Sequence, residues 1–137
     1  MRPKKRILLI DNDEYRTSLR SFMLSTHAYR VIPAATAEDA EALFGEVFPD
    51  TVLAAADFPG IGKLLQRLHE CDPYVAQVVI ADSGQECNVI CDAYLSKPSV
   101  AELLERVRVS AARKRGPRAA TPDVSRLRAE LTTRSVA

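Results

Sequence analysis

The chain has 137 residues, 47% of them apolar and 27% charged, an ordinary soluble globular balance that suits one domain with a short appendage. No stretch approaches the roughly 18 apolar residues that span a bilayer. The basic start Met1 to Arg6 leads into an apolar run (Ile7 to Ile10) too short for a secretory signal, so a cytoplasmic location without membrane contact is expected.

The net charge of +1 conceals an asymmetry. Residues 113–137 carry Arg113, Lys114, Arg115, Arg118, Arg126, Arg128 and Arg134 against Asp123 and Glu130, a balance of +5 that leaves −4 for the rest. Cys71, Cys87 and Cys91 are too few and too odd in number for a disulfide framework. His69 near Cys71 does not make a metal cluster, and half-buried thiols in a reducing compartment are the expectation.

In chain order, Ile7-Leu8-Leu9-Ile10 is short, β-favouring and stops at acids, as a strand buried on both faces does. Asn12 or Asp13 caps a first helix, for which Tyr15, Leu19, Phe22 and Met23 supply a helix-spaced apolar stripe. Tyr29 to Pro33 reads as a second strand. Thr36 opens a second helix with Ala40, Leu43, Phe44 and Val47 as its inner face. Pro49-Asp50 precedes a third strand, Thr51 to Ala55, and Pro59-Gly60 turns the chain into a third helix marked by Leu64, Leu65 and Leu68. Val78 to Ala81 is a fourth strand. The pattern then weakens from Asp82 to Cys91, with room for two or three helical turns at most, before a fifth strand, Ala93 to Leu95. Ser99 caps a last helix with Val100, Leu103, Leu104 and Val107 on one face. Thr121-Pro122-Asp123 looks like a fresh helix start, with Val124, Leu127 and Leu131 as a thin apolar stripe that needs something to dock on.

Strand–helix units with interior apolar strands predict an α/β domain: a doubly wound parallel sheet covered on both faces. Its working crevice is expected at the carboxyl ends of the first and third strands, where Asp11, Asn12 and the loop from Ala55 to Gly60 lie.

Ile7-Leu-Leu-Ile-Asp-Asn-Asp13, Pro49-Asp50, Phe58-Pro59-Gly60 and Tyr94-Leu-Ser-Lys-Pro98 together resemble the receiver domain of bacterial two-component response regulators over about residues 4 to 110. The resemblance implies a CheY-like, flavodoxin-like fold of five strands in the order 2-1-3-4-5, with residues 1–112 as the domain and 113–137 as a basic tail. In that family an acidic pair after the first strand holds Mg²⁺ and an aspartate ending the third strand accepts a phosphoryl group. A Ser or Thr ending the fourth strand contacts the phosphate, and a lysine after the fifth neutralises it.

Asp11 matches the first acid, and Asn12 stands at the second, where an amide oxygen ligates more weakly than a carboxylate. Lys97 matches the lysine, and Tyr94 the aromatic that reports activation by swinging inward. The acceptor falls at Ala55, which cannot take phosphate, and Asp82 followed by Ser83 occupies the hydroxyl position. Asp57, two residues on with the same side-chain parity, is the rival acceptor. Asp11, Asn12 and Asp57 would hold at most a weak Mg²⁺. The interval from Asp82 to Lys97 is too short for the family's full fourth helix.

A signalling module that works by protein contact without phosphorylation is therefore expected, not an enzyme, with a protein partner or a second copy of itself. Lys97 is expected to be neutralised by Asp11 and Asp82, so that Lys97→Ala destabilises the fold. Two other readings stay open: a true phosphoacceptor using Asp57 with Mg²⁺, and a nucleic-acid-associated regulator using Arg113, Lys114, Arg115 and Arg118, although no aromatic residues interleave there.

Overall fold

The computed structural model describes residues 4–83 and 89–112. The tail 113–137 and residues 84–88, which include Cys87 and half of the region read as a shortened fourth helix, lie outside the described residues.

Five strands form one sheet: β1 (Arg6–Ile10), β2 (Arg30–Ala34), β3 (Thr51–Ala55), β4 (Ala76–Ala81) and β5 (Ala93–Ser96). Their order is β2-β1-β3-β4-β5 and every pairing is parallel. Four helices alternate with them: α1 (Glu14–Thr26), α2 (Ala37–Val47), α3 (Ile61–Cys71) and α4 (Val100–Ala111). Among the described residues no helix lies between β4 and β5.

The continuous apolar runs of β1, β3 and β4 follow from coverage on both sides. Leu8, Ile10, Val52, Ala54 and Val79 face one layer, packed with Ala40, Phe44, Leu64, Leu65 and Leu68 of α2 and α3. Ile7, Leu9, Leu53, Val78 and Ile80 face the other, with Leu24 of α1 and Leu103 and Val107 of α4. Each of the Leu, Ile, Val and Phe side chains so removed from water contributes roughly 1.5–3 kcal/mol. Asp13, Thr36 and Ser99 cap α1, α2 and α4 by accepting from the backbone N–H three residues on, as their sequence positions predict. Gly60 caps α3 with φ of 72°, a left-handed conformation that suits glycine.

The expected stripe of α1 faces the wrong way. Tyr15, Leu19 and Phe22 are 72%, 53% and 73% exposed. The inner face is instead Arg16, Arg20 and Leu24, at i, i+4 and i+8, with Met23 partly buried beside Leu24. The first turns of α1 lie over the polar carboxyl end of the sheet, where Asp11 is buried. Guanidinium groups are needed there, and apolar packing only lower down. Val100, expected on the inner face of α4, is exposed, whereas Leu103 and Val107 are buried.

At the opposite end of the sheet, one device occurs twice. The Asp50 N–H donates to Arg6 O at 2.9 Å while its Oδ2 accepts from the Arg6 N–H at 2.8 Å. Asp92 does the same to Gln77, with distances of 2.9 and 2.7 Å. These clips hold the starts of β1 and β4 to the residues that lead into β3 and β5.

Candidate functional site

The strand register brings four loop positions side by side. Ile10 pairs with Ala54, Ala55 with Ile80, and Ala81 with Ser96, so Asp11, the loop after Ala55, Asp82 and Lys97 leave the sheet at adjacent places. The Ala56 N–H donates to Ile80 O at 2.8 Å and the Lys97 N–H to Ala81 O at 2.9 Å, which extends the ladder into these loops. Buried Phe58 anchors the β3–α3 loop to the core layer formed with Ile61 and Leu64.

Asp11 is the most buried charged group of the site, with a side chain fully removed from solvent. It is satisfied by four donors. The Asp13 N–H reaches Oδ1 at 2.9 Å, Arg16 Nε reaches Oδ2 at 3.1 Å, Arg16 Nη2 reaches Oδ1 at 2.8 Å, and Arg20 Nη1 reaches Oδ2 at 3.3 Å. A buried carboxylate survives only with such compensation.

Arg16 turns a second fork on Asp57. Its Nη1 donates to Oδ2 at 3.0 Å and its Nη2 to Oδ1 at 2.9 Å. Nη1 also lies 3.5 Å from Asp82 Oδ2, and Arg20 Nη2 donates to Asp82 Oδ1. Two guanidiniums on successive turns of α1 thus bind carboxylates from the ends of β1, β3 and β4. The planar fork of arginine suits this two-sided bidentate role, which a lysine could not reproduce. The hydrogen bonds to Asp57 and then Asp11 push the Arg16 guanidinium's pKa above its already high value, and Arg16 in turn holds Asp57 below the usual carboxylate range.

The residues singled out from sequence are distributed unevenly around this cluster. Asp11, Asp57 and Asp82 are brought together. Ala55 is buried at the end of β3, while Asn12 and Ser83 are exposed. Tyr94 is 37% exposed on the edge strand β5. Lys97 is exposed with φ of 45°, and among the described residues it joins no ion pair. Its expected neutralisation by Asp11 and Asp82 does not occur, because Arg16 and Arg20 already hold both carboxylates.

The sequence motifs that mark the pocket do not include Arg16 and Arg20. The signal for them is Leu24: stepping back four and eight residues from a deeply buried helical position lands on Arg20 and Arg16.

The same geometry bears on a divalent ion. Mg²⁺ requires near-octahedral oxygen ligands and dehydrates reluctantly. Both oxygens of Asp11 and both of Asp57 already accept from guanidinium N–H groups, two positive charges stand beside them, and Asn12 is exposed. As arranged, these residues do not fit the ion. Among the described residues, no group of three or more His, Cys, Asp or Glu is placed to hold a metal.

This sheet, with acidic loops gathered at its carboxyl end, has the fold of response regulator receiver domains. No protein-family model matches the chain, and no curated protein matches it. Solved structures do. A CheY-like response regulator receiver domain protein from Methanospirillum hungatei JF-1 is 26% identical, with a TM-score of 0.71, and the match covers 79% of this chain and 94% of that one. The signal receiver domain of an HD domain-containing protein from Pseudomonas fluorescens Pf-5 is 27% identical, with a TM-score of 0.68, covering 78% and 94%. The response regulator TrrA from Thermotoga maritima, solved with Mg²⁺ and BeF, is 21% identical, with a TM-score of 0.70, covering 77% and 98%. The fold expectation, including the strand order, is met. No membrane-crossing helix is found: none among the described residues is long and apolar enough.

Proposed function

We propose that this chain is a cytoplasmic receiver-like signalling module that works through protein–protein contacts, without a catalytic activity of its own and without phosphorylation or Mg²⁺. The observation that carries the reading is the double fork of Arg16 on Asp11 and Asp57. A receiver pocket runs on a cation that bridges carboxylate and phosphoryl oxygens. Here the cation is part of the chain, fixed by covalent attachment to α1, and so is neither gained nor lost. Ala55, in the place matching the family's acceptor, offers only a methyl group.

The rival acceptor Asp57 is disfavoured by the same contacts. Both of its oxygens are engaged, and a nucleophilic carboxylate would have to break its fork with Arg16 before attacking phosphorus. The conformation of the pocket is therefore set by internal charge pairing and not by phosphorylation.

A backbone amide NMR titration with Mg²⁺ and then beryllofluoride, a mimic of phosphorylated aspartate, tests this. The expected result is no change centred on Asp11, Asp57 or Lys97. Saturable shifts there that spread to Tyr94 would overturn the proposal and make Asp57 the acceptor.

A further inference from the structure

The outer face of α1 is apolar over two turns. Tyr15, Leu19 and Phe22, 72%, 53% and 73% exposed, stand at i, i+4 and i+7 and form one stripe. Seven residues of helix make it roughly 10 Å long. The inner face of α1 is already occupied by the carboxylate cluster and by the core around Leu24, so this stripe is surplus to the packing of the domain. Contiguous exposed apolar surface of this kind marks a contact site.

The chain carries a partner of matching pattern beyond the described residues. Val124, Leu127 and Leu131 recur at i, i+3 and i+7, spanning the same seven-residue interval as Tyr15 to Phe22. The path to them starts in the right place. Met23 and Tyr29, at the lower end of α1, pack in one cluster with Leu103, Leu104 and Val107 of α4, and Arg108 of α4 lies within electrostatic range of Tyr29. Both helices run opposite to the parallel strands, so α4 ends at Ala111 at the same end of the sheet as the Phe22 end of the α1 stripe.

From Ala112 to Val124 the chain can span roughly 40 Å when extended. Neighbouring helices sit only about 8–10 Å apart. An upward path along α1 then sets Val124 by Phe22 and Leu131 by Tyr15. It brings Arg134 towards Asp13 and Glu14, both exposed at the start of α1. The charge balance agrees, with +5 on residues 113–137 and −4 on the rest.

We propose that the segment 121–134 of the same chain docks antiparallel on the outer face of α1, through Val124, Leu127 and Leu131 against Phe22, Leu19 and Tyr15. Attachment to the same chain raises the effective concentration of the segment to about the millimolar range, so a modest contact suffices. Any protein that needs this face of α1 must displace the segment, which makes the tail an internal competitor for the module's partner.

The test uses the full chain with methyl and aromatic labelling. Nuclear Overhauser contacts are expected between the Tyr15 and Phe22 rings and the methyls of Val124, Leu127 and Leu131. Leu127→Asp and Leu131→Asp should move the Leu19 methyl signals towards solvent-exposed values while the Leu9 and Leu53 core methyls stay in place, which shows that the domain remains folded. Leu19 signals indifferent to both substitutions would overturn the proposal and leave the stripe to another protein. Contacts that appear only between differently labelled molecules in a mixed sample would also overturn it, with a second copy as the occupant.

Discussion

Replacing Arg16 by methionine keeps most of the aliphatic stem but removes every donor, which isolates the electrostatic contribution of the double fork. Asp11, whose side chain is fully buried, loses two of its four hydrogen bonds and retains those from Asp13 and Arg20. A buried charge stripped of all partners costs about 3–5 kcal/mol, and the surviving Arg20 contact brings this down to roughly 2–3 kcal/mol. Asp57, half exposed, adds no more than about 0.5 kcal/mol after solvent screening. The expected loss is about 3 kcal/mol, equivalent to a fall in Tm of roughly 10 °C for a domain of this size. Urea and thermal denaturation measure it directly, with the urea slope unchanged if the native state stays compact.

A second readout comes from Mg²⁺. Removing the guanidinium frees carboxylate oxygens of Asp11 and Asp57, so millimolar Mg²⁺ should raise the Tm of Arg16→Met and leave the wild type unchanged. A loss below about 1 kcal/mol would show that the forks add no more than an ordinary surface pair. Equal stabilisation of both proteins by Mg²⁺ would refute the idea that the guanidinium takes the ion's place.

Other substitutions probe the same assignments. Because Arg16 depresses the pKa of Asp57 in the folded state, the stability Asp57 contributes is present above the unfolded value of about 4 and is lost as pH falls through the lower folded value. Asp57→Asn should therefore flatten the acid limb of a Tm-against-pH curve and change stability near neutrality by no more than about 0.5 kcal/mol. Lys97→Ala should leave the Tm unchanged, since the lysine is exposed and pairs with neither Asp11 nor Asp82; a marked drop would restore the lysine to the cluster. Thr51 Oγ1 is buried in β3 without a hydrogen-bond partner, so Thr51→Val should raise stability by about 1 kcal/mol in urea denaturation.

The sheet was legible because its strands are short uninterrupted apolar runs, a pattern that parallel packing under two helical layers imposes. Asp11, Asp57 and Asp82 were legible as pocket residues through their places at strand ends. What holds them was not. Large apolar side chains on α1 suggest that Tyr15, Leu19 and Phe22 face the core, yet the helix is turned so that two arginines face inward. That orientation follows from a tertiary requirement, the neutralisation of buried Asp11, which periodicity on one helix does not register. Lys97 illustrates the converse. Its position matches a familiar pattern, but a carboxylate whose oxygens are filled by guanidinium donors has little left to offer an ammonium group.

The twin aspartate clips have a consequence for how the chain tolerates change. Asp92 fixes where β5 begins by gripping the start of β4, and the length of what lies between does not enter that contact. At the other end of the same connection, Asp82 is tethered by Arg20 and lies close to Arg16. The β4–β5 connection is thus a span hung between two fixed posts. Neither contact involves residues 84–88, so a foreign peptide inserted there would leave both posts in place and the strands on either side anchored.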